Sequence, residues 1–242
     1  MFVAATLPLL LLTAQADTVA RKPAEVRFTG DIGYVATSGN SSVETLNVGD
    51  KFSAKLGDVT LSQAFTLVYG ESKGETVTSI YRGSLRIDKG LRTECCFSAY
   101  TLLNYERNTF AGLASRVSGV TGLAAQLLNG GRNKLVVEGG LSLTRQRGTG
   151  VRGRDVDFLG GRAASTYTHQ FGPKASVSQS LEVLPNFRES EDLRVNTESA
   201  LVAPITSRVA VKLSYVIRYD GLPEDGFGTT DRLFTSGIQV SL

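Results

Sequence analysis

The sequence predicts an all-β chain whose mature part closes into a transmembrane antiparallel up-and-down β-barrel of about twelve strands. Three observations lead there. Apolar residues recur with period two over runs of about a dozen residues, twice the usual strand length of soluble sheets. Turn clusters separate these runs at regular spacing. Mean hydropathy is −0.02, and no apolar stretch is long enough for a membrane helix. Alternating strands average to neutral, so this value fits a barrel wall. The 242 residues include 26 Gly and only 6 Pro, which suits a closed sheet. Net charge is +3 with no run of Lys and Arg, so there is no footprint for nucleic acid.

The chain divides into a leader (1–16), a short periplasmic segment (17–24) and a barrel (25–242). Leu7 to Leu12 form a short apolar core, and Ala14 and Ala16 give an A-x-A pattern, the signature of a secretory signal peptide cleaved after Ala16. No Lys or Arg precedes that core, a departure from the usual pattern.

From Glu25 onward the strands follow in order. Val26, Phe28, Ile32 and Tyr34 share one face of the first, and Leu46, Val48, Phe52 and Ala54 of the second. Leu61, Phe65 and Tyr69 mark the third, Tyr81, Leu85 and Ile87 the fourth, and Leu103 and Tyr105 the fifth. Val117 and Leu123, then Leu135 and Leu141, then Leu159 and Tyr167 mark the next three. Leu181, Leu201, the run Val209 to Tyr219, and Phe234 to Leu242 complete the set. Asp50 falls on the apolar face of the second strand, and a bulge at Gly49 would turn it inward. Turns near Gly57, Gly90-Leu91, Gly130-Gly131, Pro173 and Pro204 are short. The intervening loops, such as 71–76, 108–116, 146–155, 188–192 and 221–231, are longer and more polar. This asymmetry places both termini on the periplasmic side and makes the strand number even.

No helical segment is available to cover so large an apolar face, so that face must meet lipid while closure pairs the backbone. Tyr69, Tyr105, Tyr167, Phe171, Phe187 and Tyr219 then suit interfacial girdles. The opposite face lines a lumen. Its candidate residues are Arg27, Asp31, Lys51, Arg82, Arg86, Glu138, Arg162, Glu182, Arg194, Glu198, Lys212 and Arg218. With eight bases against four acids, the lumen, if open, should prefer anions by field alone.

After Gly237, the terminal strand alternates hydrophobics through Ile238, Val240 and Leu242, and Gly237, Val240 and Leu242 mark a pattern suited to pairing with barrel assembly machinery by β-augmentation. Its last residue is Leu where Phe is usual. Tyr215-Val216-Ile217-Arg218-Tyr219, with Pro223, Gly226, Phe227, Thr230-Asp231 and Gly237, and the early Thr37-Ser38-Gly39-Asn40, resemble the YdiY-like family of salt-induced outer-membrane proteins, built on domain of unknown function 481. The resemblance implies an outer-membrane barrel and carries no catalytic residues.

The residues offer no catalytic constellation. His169 is the one histidine, which excludes a multi-histidine metal site. Ser165 lies four residues away, about 13 Å along a strand. No cofactor motif is present. Cys95 and Cys96 are adjacent, and as strand neighbours they would face opposite ways and could not bridge. Arg145, Arg147, Arg152 and Arg154 form a basic surface-loop cluster, read as a flexible loop or as a contact for lipopolysaccharide phosphates. The expected function is a non-enzymatic outer-membrane barrel related to envelope or osmotic stress and passing small solutes. A sealed structural barrel and a lipid-acting barrel enzyme are the alternatives. Its partners would be outer-membrane lipids, lipopolysaccharide and the assembly machinery.

Overall fold

The computed structural model describes residues 25–242 apart from 38–42, 73–74, 92–95, 150–152 and 173–174. The leader, residues 17–24 and the Ser38-Gly39-Asn40 turn lie outside the described residues. Twelve strands form one closed antiparallel barrel, each pairing with its chain neighbours and β1 closing on β12. They are β1 (Glu25–Thr37), β2 (Val43–Leu56), β3 (Val59–Ser72), β4 (Glu75–Gly90), β5 (Phe97–Asn108), β6 (Leu113–Gly130), β7 (Asn133–Gly148), β8 (Asp155–Gln170), β9 (Ser176–Pro185), β10 (Leu193–Pro204), β11 (Val209–Asp220) and β12 (Thr230–Ser241). All have at least the ten residues of β9, enough to cross a bilayer.

The register explains the two faces. Phe28 pairs with Phe52, Leu85 with Leu103, and Leu143 with Leu159, so apolar residues align on the outside across neighbouring strands. Leu143 is 68% exposed and Phe234 64%, as a lipid-facing wall requires. The girdle aromatics named above all stand on this face.

Three expectations need correction. No register shift occurs in β2: Asp50 pairs with Gly30 and Phe65 in continuous ladders and stays on the outer face. The strands also run further than the polar composition suggested. Ser72 pairs with Glu75, leaving residues 73–74 between β3 and β4, and a shift at Gly70/Glu71 absorbs the mismatch. β7 likewise carries Gln146 and Arg147, because a strand end standing in water can be as polar as a loop. Conversely, six residues rather than the Gly90-Leu91 pair join β4 to β5, and Cys96 precedes β5 as an exposed free thiol. Cys95 lies outside the described residues. The loop asymmetry is therefore milder than expected, though the longest connection, 221–229, is at the end opposite the termini.

Inside the barrel, Tyr100, Leu102, Val120 and Ala124 form a small apolar cluster against Val136. It packs on the inner wall of β5–β7, next to the charged groups of the lumen. Gly122 and Gly140 make room for it. A Cβ on Gly140 would stand 2.9 Å from the Tyr100 hydroxyl, and one on Gly122 2.7 Å from the Gly140 Cα.

Candidate functional site

The lumen gathers the charged side chains into three levels. Near the loop end, ladder register sets Glu106 between Arg82 on β4 and Arg116 on β6. Arg82 donates to Glu106 Oε1 from Nε at 2.9 Å and from Nη2 at 2.7 Å. Arg218 donates to the same oxygen at 3.1 Å, and Arg116 stands 3.6 Å from Oε2. Arg218 comes from β11, six strands from β5 in a ring of twelve, so this carboxylate ties opposite walls together. Arg116 also reaches Asp220 on β11 at 3.3 Å and donates to Gln146 Oε1 at 2.8 Å. The result is a bar of ion pairs across the lumen.

The β11–β12 connection folds over this bar. Gln146 Nε2 donates to Glu224 Oε1 at 3.0 Å, and the Arg154 backbone amide donates to Oε2 at 3.0 Å. The Arg154 guanidinium donates to the Leu222 carbonyl at 2.6 Å. Glu224 is buried by these contacts and by the backbone at Gly112, where a Cβ would meet it at 2.6 Å.

In the middle of the barrel, Arg86 pairs with Asp88 at 2.7 Å and with Glu138 at 2.8 Å. Arg162 pairs with Glu138 at 2.5 Å and Glu182 at 2.6 Å, and Asn196 donates to Glu182 at 2.9 Å. The chain runs from β4 to β10. Both guanidiniums lie over the Tyr100 ring, at 4.4 Å and 5.6 Å, and Arg162 donates to its hydroxyl at 3.1 Å. On the other side Lys212 pairs with Asp31 at 3.1 Å, and Ser214 donates to Glu198 at 2.8 Å.

Between these levels lies a cavity of about 680 Å³. Arg27, Thr29 and Lys51 border it towards the termini, and Arg82, Glu106, Arg116 and Arg218 towards the loops.

All twelve residues proposed from sequence for the lumen stand on the inward face: Arg27, Lys51 and Arg194 line the cavity wall, and the other nine take part in the ion pairs and hydrogen bonds above. The field argument for anions needs correction. Lys55, Arg116 and Lys134 share the inward face with the bases, while Glu25, Asp88, Glu106, Asp220 and Asp231 join the acids, so the two-to-one excess of bases read from the sequence does not hold among the described residues. Glu106 and Asp88 could have been found by parity, because each follows an outward residue, Tyr105 and Ile87. Glu224 and Asp192 sit in connections, where alternation gives no signal.

The basic loop cluster is divided. Arg145 and Arg147 are outward residues of β7, and Arg145 pairs with Asp157 at 2.7 Å on the exposed surface. Arg154 turns over the mouth, and Arg152 lies outside the described residues. His169 is on the outer face. Its Nδ1 is 2.8 Å from Asn133 Oδ1, which also accepts from Tyr167, and its ring meets Phe171 edge-on. This is an interfacial cluster, with Ser165 further along the same face. In the terminal strand Val240 and Leu242 face outward and Gly237 inward. Leu242 exchanges backbone hydrogen bonds with Phe28, and a Cβ on Gly237 would stand 2.8 Å from the Ile32 carbonyl carbon.

A closed ring of long strands, apolar outside and ion-paired inside, defines a membrane β-barrel of the kind found in bacterial outer membranes. The sequence matches the family described as "Protein of unknown function, DUF481" over residues 30–242, and the chain belongs to that family. No curated protein matches it. Among solved structures, the NanC porin is similar with a TM-score of 0.55 at 8% identity, covering 88% of this chain and 100% of the porin. The translocator domain of autotransporter NalP from Neisseria meningitidis has a TM-score of 0.43 at 14% identity, covering 90% of this chain and 87% of its own. The outer membrane channel DcaP of Acinetobacter baumannii has 0.43 at 8%, covering 90% and 97%. The NanC likeness speaks for the fold; the other two are too distant to carry an argument.

Proposed function

We propose that this protein is a non-enzymatic barrel of the bacterial outer membrane, held closed at its loop end in the resting state. The supporting observation is Glu106, bound by arginines from opposite walls and covered by the Glu224 connection. Bars of this kind are rigid when every partner is satisfied, and removing one partner leaves buried charge uncompensated. The termini and the open end of the cavity face the periplasm in this reading. The chain thus acts as an envelope element under osmotic stress, and passes small solutes only when the bar parts.

Planar-bilayer recording tests it. Wild-type barrels are expected to show little or no steady current, and Glu106→Gln to raise it severalfold. Large steady conductance in the wild type would remove the closed state. A second reading, an anion-leaning pore, draws on Lys51, which makes no ion pair among the described residues at the periplasmic mouth. Reversal potentials under a salt gradient, measured on Glu106→Gln, separate the two. Arg145 and Arg147, at the loop end of the outer face, are the residues we assign to lipopolysaccharide phosphates. The terminal strand is the segment we assign to the assembly machinery.

A further inference from the structure

Arg194 differs from every other arginine around the central cavity. It opens β10 near the loop end, and its side chain is only 7% exposed. Its neighbours Arg82, Arg116 and Arg218 are all spent on Glu106. The Arg194 side chain makes no hydrogen bond among the described residues, and its Nε is buried without a partner. Asp192 Oδ1 is 3.7 Å from that Nε, inside ion-pair range but beyond a hydrogen bond. The other Asp192 oxygen is already taken by Asn186 Nδ2 at 2.9 Å. The Phe158 ring lies 5.4 Å from the Arg194 guanidinium carbon.

A guanidinium has five donors in a planar fork. Burying one with none engaged is costly, and a carboxylate or phosphate matches the fork with two parallel hydrogen bonds. Arg194 borders both the 680 Å³ cavity and a smaller one of about 90 Å³ under the β11–β12 connection, so its fork is reachable from the lumen. The larger space falls in the range of small-molecule sites. Asn104, Asn196 and Ser118 add hydrogen-bonding groups to its wall.

We propose that the lumen contains a binding site for a small polar oxyanion, a carboxylate or a phosphate, whose charged group docks on Arg194. The proposal deepens the closed-lumen reading by naming what the interior takes. It is tested without a membrane, so its failure and the failure of that reading are distinguishable. Calorimetric titration of the folded barrel in detergent uses glucuronate and inorganic phosphate as probes, with glucose as the neutral control. At least one anion is expected to bind with millimolar or tighter Kd, and glucose not to bind. Arg194→Met is expected to weaken the anion by about tenfold or more, as loss of a charge-assisted pair does, while Arg232→Ala on the outer face leaves it unchanged. The anion that binds identifies the chemistry. If neither anion binds the wild type at about 10 mM, or a folded Arg194→Met barrel binds as well as wild type, the proposal is overturned. Should Arg194→Met fail to fold, Arg194→Lys keeps the charge and loses the fork. It is expected to bind severalfold more weakly, and undiminished binding overturns the proposal equally.

Discussion

Asp50 is a carboxylate on a wall built for hydrocarbon, with Gly30 and Phe65 beside it in the ladders. Acidic residues on a lipid face cost less than basic ones but still destabilise. Asp50→Leu is therefore expected to stabilise the barrel by up to about 2 kcal/mol, seen as a higher temperature for the loss of heat-modifiable gel mobility. Gly140 makes the opposite case. Valine there would strike the Tyr100 hydroxyl and the β6 backbone, so Gly140→Val should lower that temperature and loosen Arg162 from its ring contact. Side-chain direction was legible in the sequence at nearly every strand residue, because period two admits only two phases. What each inward charge pairs with was not. Arg218 and Glu106 are 112 residues apart in sequence, and their meeting depends on how the ring closes. Arg194 looked like any other lumen arginine until its neighbours were seen to be committed elsewhere.

Among the elements, the β11–β12 connection carries the most consequence. Its hold on the mouth rests chiefly on the Glu224 carboxylate, which accepts from Gln146 and from the Arg154 amide, with the Leu222 carbonyl accepting from the Arg154 guanidinium beside it. Glu224→Ala should leave the wall intact and release the connection. Limited proteolysis is expected to cut within 221–229 faster in that variant, with the remaining fragments still running as a folded barrel. The connections were the least legible part of the sequence. Polar residues such as Glu71 and Gln146 continue strands beyond the apolar band, and composition cannot separate a wet strand end from a loop. The β4–β5 turn erred the other way, because Gly90-Leu91 reads as a tight turn while the chain takes six residues to return.

At the scale of the whole molecule, twelve strands, their order and their two faces followed from pattern and length alone. The need to satisfy every backbone group in lipid leaves closure as the one outcome for such a sheet. The ion-paired bar was hidden for the same reason that its partners were, so the lumen looked emptier and more positive from sequence than it is. Glu106→Gln is expected to destabilise the barrel by about 3–5 kcal/mol, read from urea unfolding in detergent, since it strands several arginines at once.

The ring is not equally joined all round. β1 and β12 share four register pairs, Thr29 to Ile32 against Ser241 to Ile238, with the Phe28–Leu242 exchange beside them. The next shortest ladder, β8–β9, has eight. Amide protons along this joint should exchange with solvent before those elsewhere in the wall. Trimming only Ser241 and Leu242 would erase the Thr29 partner and both Phe28 bonds. Only three pairs would then hold the cylinder shut, and each parting would bare two loose margins sticky to any other exposed strand, so Ser241 and Leu242 guard the protein against clumping with its own kind.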